Sequence, residues 1–144
     1  MIALLDVNVL IALFDGAHVH HEIAHAWFGR QRARGWATCP LTENALARIL
    51  SHPSYAGRGT TTSDAIERLE TLRSAGKHSF WPDDVSLCDA SIFRAEGIGG
   101  HGHITDVYLL ALAVKNHGTL ATFDRGIPLG SVVGATTANL MSLH

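Results

Sequence analysis

Residues 2–5, Ile-Ala-Leu-Leu, are apolar without a break, and an aspartate follows at once. A strand wetted on one face alternates apolar and polar residues, whereas a strand apolar throughout is covered on both faces. Sheets covered on both faces are parallel, with a helix crossing back after each strand. The rest of the chain keeps to that order. The pattern predicts helices over 7–14 and 21–32, and a strand over 35–39. Pro40 opens a helix over 41–50, which Pro53 halts. A helix over 63–75 has Ser63 as its N-cap, and a strand follows at 79–81. The helix of 105–118 has Thr105 as N-cap and Gly118 just past its end. Strands are expected at 119–122 and, fifth, at 131–133; the glycine- and serine-rich stretches 54–63 and 96–105 read as loops. The expected fold is α/β: one domain over residues 1–144, a parallel sheet of four to five strands flanked by helices. Ligand sites in such sheets lie beyond the C-terminal ends of the strands.

With 144 residues, 47% hydrophobic and 17% charged, the chain suits a single packed domain. A net charge of −2 excludes a polybasic nucleic-acid coat, but it leaves room for a local basic rim. Cys39 and Cys88 stand far apart in no metal-binding or redox pattern, which suits a reducing compartment. The apolar N-terminus has no basic leader, and Asp6 and Asn8 interrupt it. No apolar run approaches the roughly 20 residues of a membrane span. The expectation is a cytoplasmic protein that meets no membrane.

Residues His21-Glu22-Ile23-Ala24-His25 match the zinc-peptidase pattern H-E-x-x-H. Ten histidines make such a match easy to meet by accident. On a helix, Ile23, Ala24, Trp27 and Phe28 share the core face, His21 and His25 sit at its edge, and Glu22 points to water. A zinc peptidase needs that glutamate beside a metal-bound water, and a third ligand downstream. The looser cluster of His18, His20 and His21 suits a stray transition metal. The reading is a surface helix with edge histidines.

Four acids stand out instead. Asp6 and Asp124 follow directly on predicted strands, and Asp106 opens the most apolar helix. Glu43 shares a helix face with Leu46, Ala47 and Leu50, where a carboxylate must be paired or neutralised. Each has an ordinary reading as a turn or first-turn acid. Carboxylates converging on one crevice repel, and a divalent cation resolves that. Oxygen ligands favour Mg²⁺, with Mn²⁺ as a substitute, over Zn²⁺.

The stretches "LLDVNVLI", "TEN", "TDVYLLALA" and "TFDRGI", in that order, resemble PIN-domain proteins, and the length and spacing resemble the VapC-type toxins of bacterial toxin–antitoxin pairs. The resemblance implies a parallel sheet flanked by helices and a Mg²⁺-dependent endoribonuclease. It implies that Asp6, Glu43, Asp106 and Asp124 form the catalytic and metal site. Thr122 stands where that family often has a small polar residue ahead of the last acid. Asn8 matches its D-x-N opening, where it caps the first helix or orients Asp6. Arg48, Arg58 and Arg125 are candidate contacts to RNA phosphates. A cognate antitoxin and a homodimer are the implied partners. Residues 52–100 match only in general helical character.

Two enzymatic rivals remain. In a haloacid-dehalogenase-like phosphatase, Asp6 would be a covalent nucleophile, but its partner acid is replaced by Asn8 and no convincing lysine motif follows. The zinc peptidase is the other. A receiver domain needs an acidic pair, a mid-chain phosphoacceptor aspartate and a late lysine in order, which this chain does not offer, and a binding module without catalysis has no reason to keep all four acids.

Overall fold

The computed structural model describes residues 1–55 and 59–144. Five strands, β1 (Ala3–Leu5), β2 (Trp36–Thr38), β3 (His78–Phe80), β4 (Thr119–Thr122) and β5 (Leu140–Ser142), form one sheet in the order β3-β2-β1-β4-β5. Every pairing is parallel. The helices are α1 (Val7–Phe14), α2 (His21–Gln31), α3 (Pro40–Leu50), α4 (Thr62–Arg73) and α5 (Ile104–Lys115).

β1 lies at the centre of the sheet and is wholly buried, as its unbroken apolar run requires. Its side chains alternate between two cores. Ala3 and Leu5 join Trp36 and Ala121 beneath α1–α4, while Leu4 joins Ala37 and Leu120 beneath α5. α5 is buried at Val107, Leu109, Leu110, Ala111, Leu112 and Ala113, so it is apolar almost all round.

Several boundaries differ from the sequence reading. The N-cap of α4 is Thr61, not Ser63: its hydroxyl accepts the Asp64 N–H at 3.1 Å, and Asp64 returns to the Thr61 N–H in a capping box. Thr105 lies inside α5, which starts from His103 without a side-chain cap. At its end, His117 rather than Gly118 takes the left-handed position (φ 55). The His117 N–H donates to Val114 O at 3.1 Å and the Gly118 N–H to Ala113 O at 2.8 Å, a complete Schellman closure. Gly118 is needed for a different reason. A Cβ there would stand 2.5 Å from the Ile2 carbonyl oxygen and 2.9 Å from the Trp81 ring.

Residues 131–133 are not the fifth strand. Ser131 closes a 3₁₀ turn, and Val132 is buried against the α5 core and makes one antiparallel bridge to Phe93. Apolarity there serves the core, not a ladder. The fifth strand is Leu140–Ser142, an edge strand with a mixed, half-exposed pattern. On α2, Ala24, Trp27 and Phe28 face the core as expected, but Ile23 is exposed and Gln31 completes the buried stripe. Gln31 earns that place through its amide, which donates to Gly35 O at 2.8 Å and Met1 O at 3.1 Å. Cys39 is buried, Cys88 is exposed, and both are free thiols. Among the described residues, no helix is long and apolar enough to cross a membrane.

Candidate metal centre

Three aspartates meet at the C-terminal edge of the sheet. Asp6 follows β1 and caps α1, with Oδ1 accepting the Val7 N–H at 2.7 Å. Asp124 lies two residues past β4, and Asp106 is in the first turn of α5. One carboxylate oxygen from each lies within 4.8 Å of those of the other two. Asp6 is almost fully buried, Asp106 half-buried and Asp124 exposed, so the group opens to solvent on the Asp124 side. Asp6 and Thr122 continue the sheet face of Leu4 and Leu120, the face that α5 covers, and this explains how Asp106 reaches them.

Thr122 is the hub. Its fully buried hydroxyl donates to Asp6 Oδ2 at 2.7 Å. It accepts the Asp124 N–H at 3.0 Å and Asn8 Nδ2 at 3.3 Å. One donor and two lone pairs are thereby used. Asn8 closes the circuit, since its Oδ1 accepts the Phe123 N–H at 3.3 Å. The residues after β4 are thus bolted to the residues after β1, and Asn8 braces that junction besides lying in α1.

Burial is the main reason the Asp6 carboxyl is pushed above the ordinary range, against hydrogen bonds from Thr122 and Val7 that favour its ionised form. Asp106 is pushed up to about 7, first by burial and then by the charges of Asp6 and Asp124. Asp106 therefore holds a proton near neutrality that an ordinary aspartate would have lost. A divalent cation relieves the same repulsion without protons. The donors are all carboxylate oxygens, which suits a hard ion such as Mg²⁺ or Mn²⁺ and disfavours Zn²⁺.

Glu43 is not gathered into this group. It accepts a hydrogen bond from the Thr38 hydroxyl at 2.5 Å and pairs with Arg73 at 3.4 Å. Thr38 also meets His78 Nε2 at 2.8 Å. Burial and the Arg73 charge hold His78 down at about 4, so its ring is neutral. Thr38 gives its one proton to Glu43, so His78 must be the donor to Thr38. Thr38 shares the sheet face of Trp36, opposite to that of Asp6. Glu43 therefore stands at the same edge of the sheet, one strand over, inside its own network. Nothing in the sequence marks Arg73 or His78 as its neighbours, because both come from later elements.

Arg125 is exposed beside Asp124, and Arg48 is exposed on α3, where it lines three adjoining clefts. Arg58 lies outside the described residues. The zinc reading fails on geometry. His21 Nδ1 contacts Ala12 O at 2.7 Å and His25 Nε2 contacts Leu13 O at 3.1 Å, so both rings close the last turn of α1. Glu22 is exposed. The phosphatase reading fails too, because both Asp6 oxygens are engaged and the residue is only 3% exposed, which is no place for an attacking nucleophile.

Residues 3–129 match the model of the PIN domain. The chain belongs to the PIN-domain family. Two relatives of this PIN domain are mycobacterial. Ribonuclease VapC44 of Mycobacterium tuberculosis is 43% identical over 143 residues, 99% of this chain and 100% of the relative. Ribonuclease VapC39 of the same species is 45% identical over 127 residues, 88% of this chain and 91% of the relative. A solved structure, VapBC2 from Rickettsia felis bound to a DNA fragment from its promoter, matches with a TM-score of 0.63 at 14% identity and covers 100% of both chains. That likeness carries the fold alone.

Proposed function

We propose that this PIN domain is a metal-dependent endoribonuclease and the toxin of a toxin–antitoxin pair. The observation that carries the reading is the convergence of Asp6, Asp106 and Asp124 from three separate elements, with the Asp106 carboxyl pushed up to about 7 by burial and by the charges of the other two. The ribonuclease names of its relatives support the choice of RNA. Asp6 and Asp106 would hold a Mg²⁺ or Mn²⁺ ion, which would supply Lewis-acid chemistry, activating water and offsetting charge on the phosphoryl oxygens. Asp124, the exposed member, would orient the attacking water and accept its proton. Thr122 and Asn8 hold Asp6 and Asp124 in register. Glu43, hydrogen-bonded by Thr38 and paired with Arg73, supplies negative charge at the rim of the site and steers the hydrated cation. Arg125 and Arg48 meet the RNA backbone.

An acidic pocket that attracts a cation also accepts a guanidinium, which binds carboxylates in bidentate fashion. The cognate antitoxin, a small protein encoded alongside, blocks the site by that chemistry, and the toxin works as a homodimer in the cytoplasm. The test is to express the chain with and without its genomic neighbour, then assay RNA cleavage with Mg²⁺ and with chelator. Mg²⁺-dependent cleavage, lost in Asp6→Asn and suppressed by the neighbour, is expected. Cleavage that survives chelation rejects the metal mechanism. Cleavage without any inhibiting neighbour, and without harm to growth, makes this a housekeeping nuclease.

A further inference from the structure

The residue between Thr122 and Asp124 is Phe123, and its ring is not spent on the acid cluster. It lies against His20, with ring centroids 4.3 Å apart and planes 15° from parallel. The Phe123 backbone is held by Asn8 and its ring packs against the core beneath α1–α4, which sets its position beside Asp124. His20 immediately precedes α2, yet its ring makes no cap bond to that helix. Among the described residues its ring nitrogens have no hydrogen-bond partner. The loop beneath it is nonetheless ordered: the His20 N–H donates to His18 Nδ1 at 3.1 Å, and the His18 ring stands next in line at 5.7 Å. His20 and Phe123 are both partly exposed.

A flat aromatic pair whose Phe123 directly precedes Asp124, at the rim of a phosphodiester-cleaving centre, has one evident ligand. Nucleobases present π-faces of the same size, and they stack on aromatic side chains with little regard to sequence. An RNA strand whose phosphate lies at the aspartates carries its flanking base toward the neighbouring residue of the loop, which is Phe123. A paired base cannot leave its partner to stack there without paying for unpairing.

We propose that His20 and Phe123 form a base-stacking subsite for the unpaired nucleotide next to the scissile phosphate of single-stranded RNA; this rests on the ribonuclease reading above. His20 supplies a π-face there and no proton, so phenylalanine can replace it where alanine cannot.

The test uses the full-length chain with Mg²⁺ and a short, randomised, single-stranded RNA pool, followed by the best-cleaved oligonucleotide from that pool. His20→Ala is expected to raise KM about tenfold, within what one base–aromatic stack contributes, with kcat little changed. His20→Phe is expected to recover most of that loss. An abasic nucleotide flanking the cleavage point should weaken the parent protein and add no further penalty to His20→Ala. If the parent does not cleave the pool, the ribonuclease reading falls and the subsite with it. If the parent cleaves, but His20→Ala matches it, or His20→Phe is as poor as His20→Ala, or the abasic penalty is equal in both proteins, the subsite is overturned while the ribonuclease reading stands.

Discussion

Replacing Thr122 by valine keeps the volume of the side chain and deletes only its hydroxyl. Three bonds go with it: to Asp6 Oδ2 at 2.7 Å, from the Asp124 N–H at 3.0 Å and from Asn8 at 3.3 Å. The Asp124 N–H belongs to an exposed residue and finds water instead. The bond to the buried Asp6 carboxylate has no such substitute and contributes about 1.5–3 kcal/mol. With a smaller share from Asn8, Thr122→Val is expected to destabilise the fold by ~2–3 kcal/mol. For a chain of this size that lowers the melting temperature by roughly 5–10 °C. The domain remains folded at 25 °C, so metal binding can still be measured. Losing an outer-shell partner of a ligand typically weakens metal affinity by about 10–100-fold. The Asp6 carboxyl also rises further, since its main lowering contact has gone, so the cation meets stiffer competition from protons. Mn²⁺ titration calorimetry and thermal unfolding in chelator measure the two effects. Thr122→Ser, which keeps the hydroxyl, should stay close to the parent in metal affinity. A Thr122→Val protein that binds Mn²⁺ as tightly as the parent and melts at the same temperature would refute the hub.

Asp106→Asn removes a charge crowded by Asp6 and Asp124, so in chelator at pH 8 it should melt at or above the parent temperature while losing Mg²⁺-dependent cleavage; a clear drop in melting temperature would speak against the repulsion. The folded chain binds protons at Asp6 and Asp106 more tightly than the unfolded chain does, the Asp106 carboxyl rising from 3.8 to about 7. The native state therefore carries the extra protons between those values, and the metal-free protein should lose stability as pH rises through that window. Mg²⁺ at pH 8 should restore the stability, and a pH-independent melting temperature in chelator excludes the coupling. His21→Ala and His25→Ala should each cost about 1 kcal/mol, by freeing the Ala12 and Leu13 carbonyls, while cleavage stays near the parent level; urea unfolding and an RNA assay check both halves.

What could be read in advance follows from how local each signal is. β1 and α5 announced themselves because burial on every side forces a chain apolar on every side. The three aspartates were visible because each sits at the end of such an element, where a charge has no packing reason to be. The fifth strand was not visible. An edge strand needs no unbroken apolar pattern, and Val132 mimicked a strand while serving a core. Gly118 looked like a helix terminator, yet its missing side chain answers to Ile2, which is remote in sequence. Glu43 was legible as an acid in want of a partner; that the partners are Thr38 and Arg73 depends on tertiary packing. Gln31 displaced Ile23 from the buried stripe of α2 because two backbone carbonyls at the start of the sheet required a donor.

The bond between Asp6 and Thr122 spans 116 residues. Its consequence is temporal. As the chain is synthesised, β1 and its aspartate emerge first, and α1–α4 can form without completing anything chemical. Asp106 arrives late, and Thr122 and Asp124 later still. Until β4 has been made and has docked beside β1, Asp6 lacks Thr122 and Asp124, and the cluster of three acids cannot assemble.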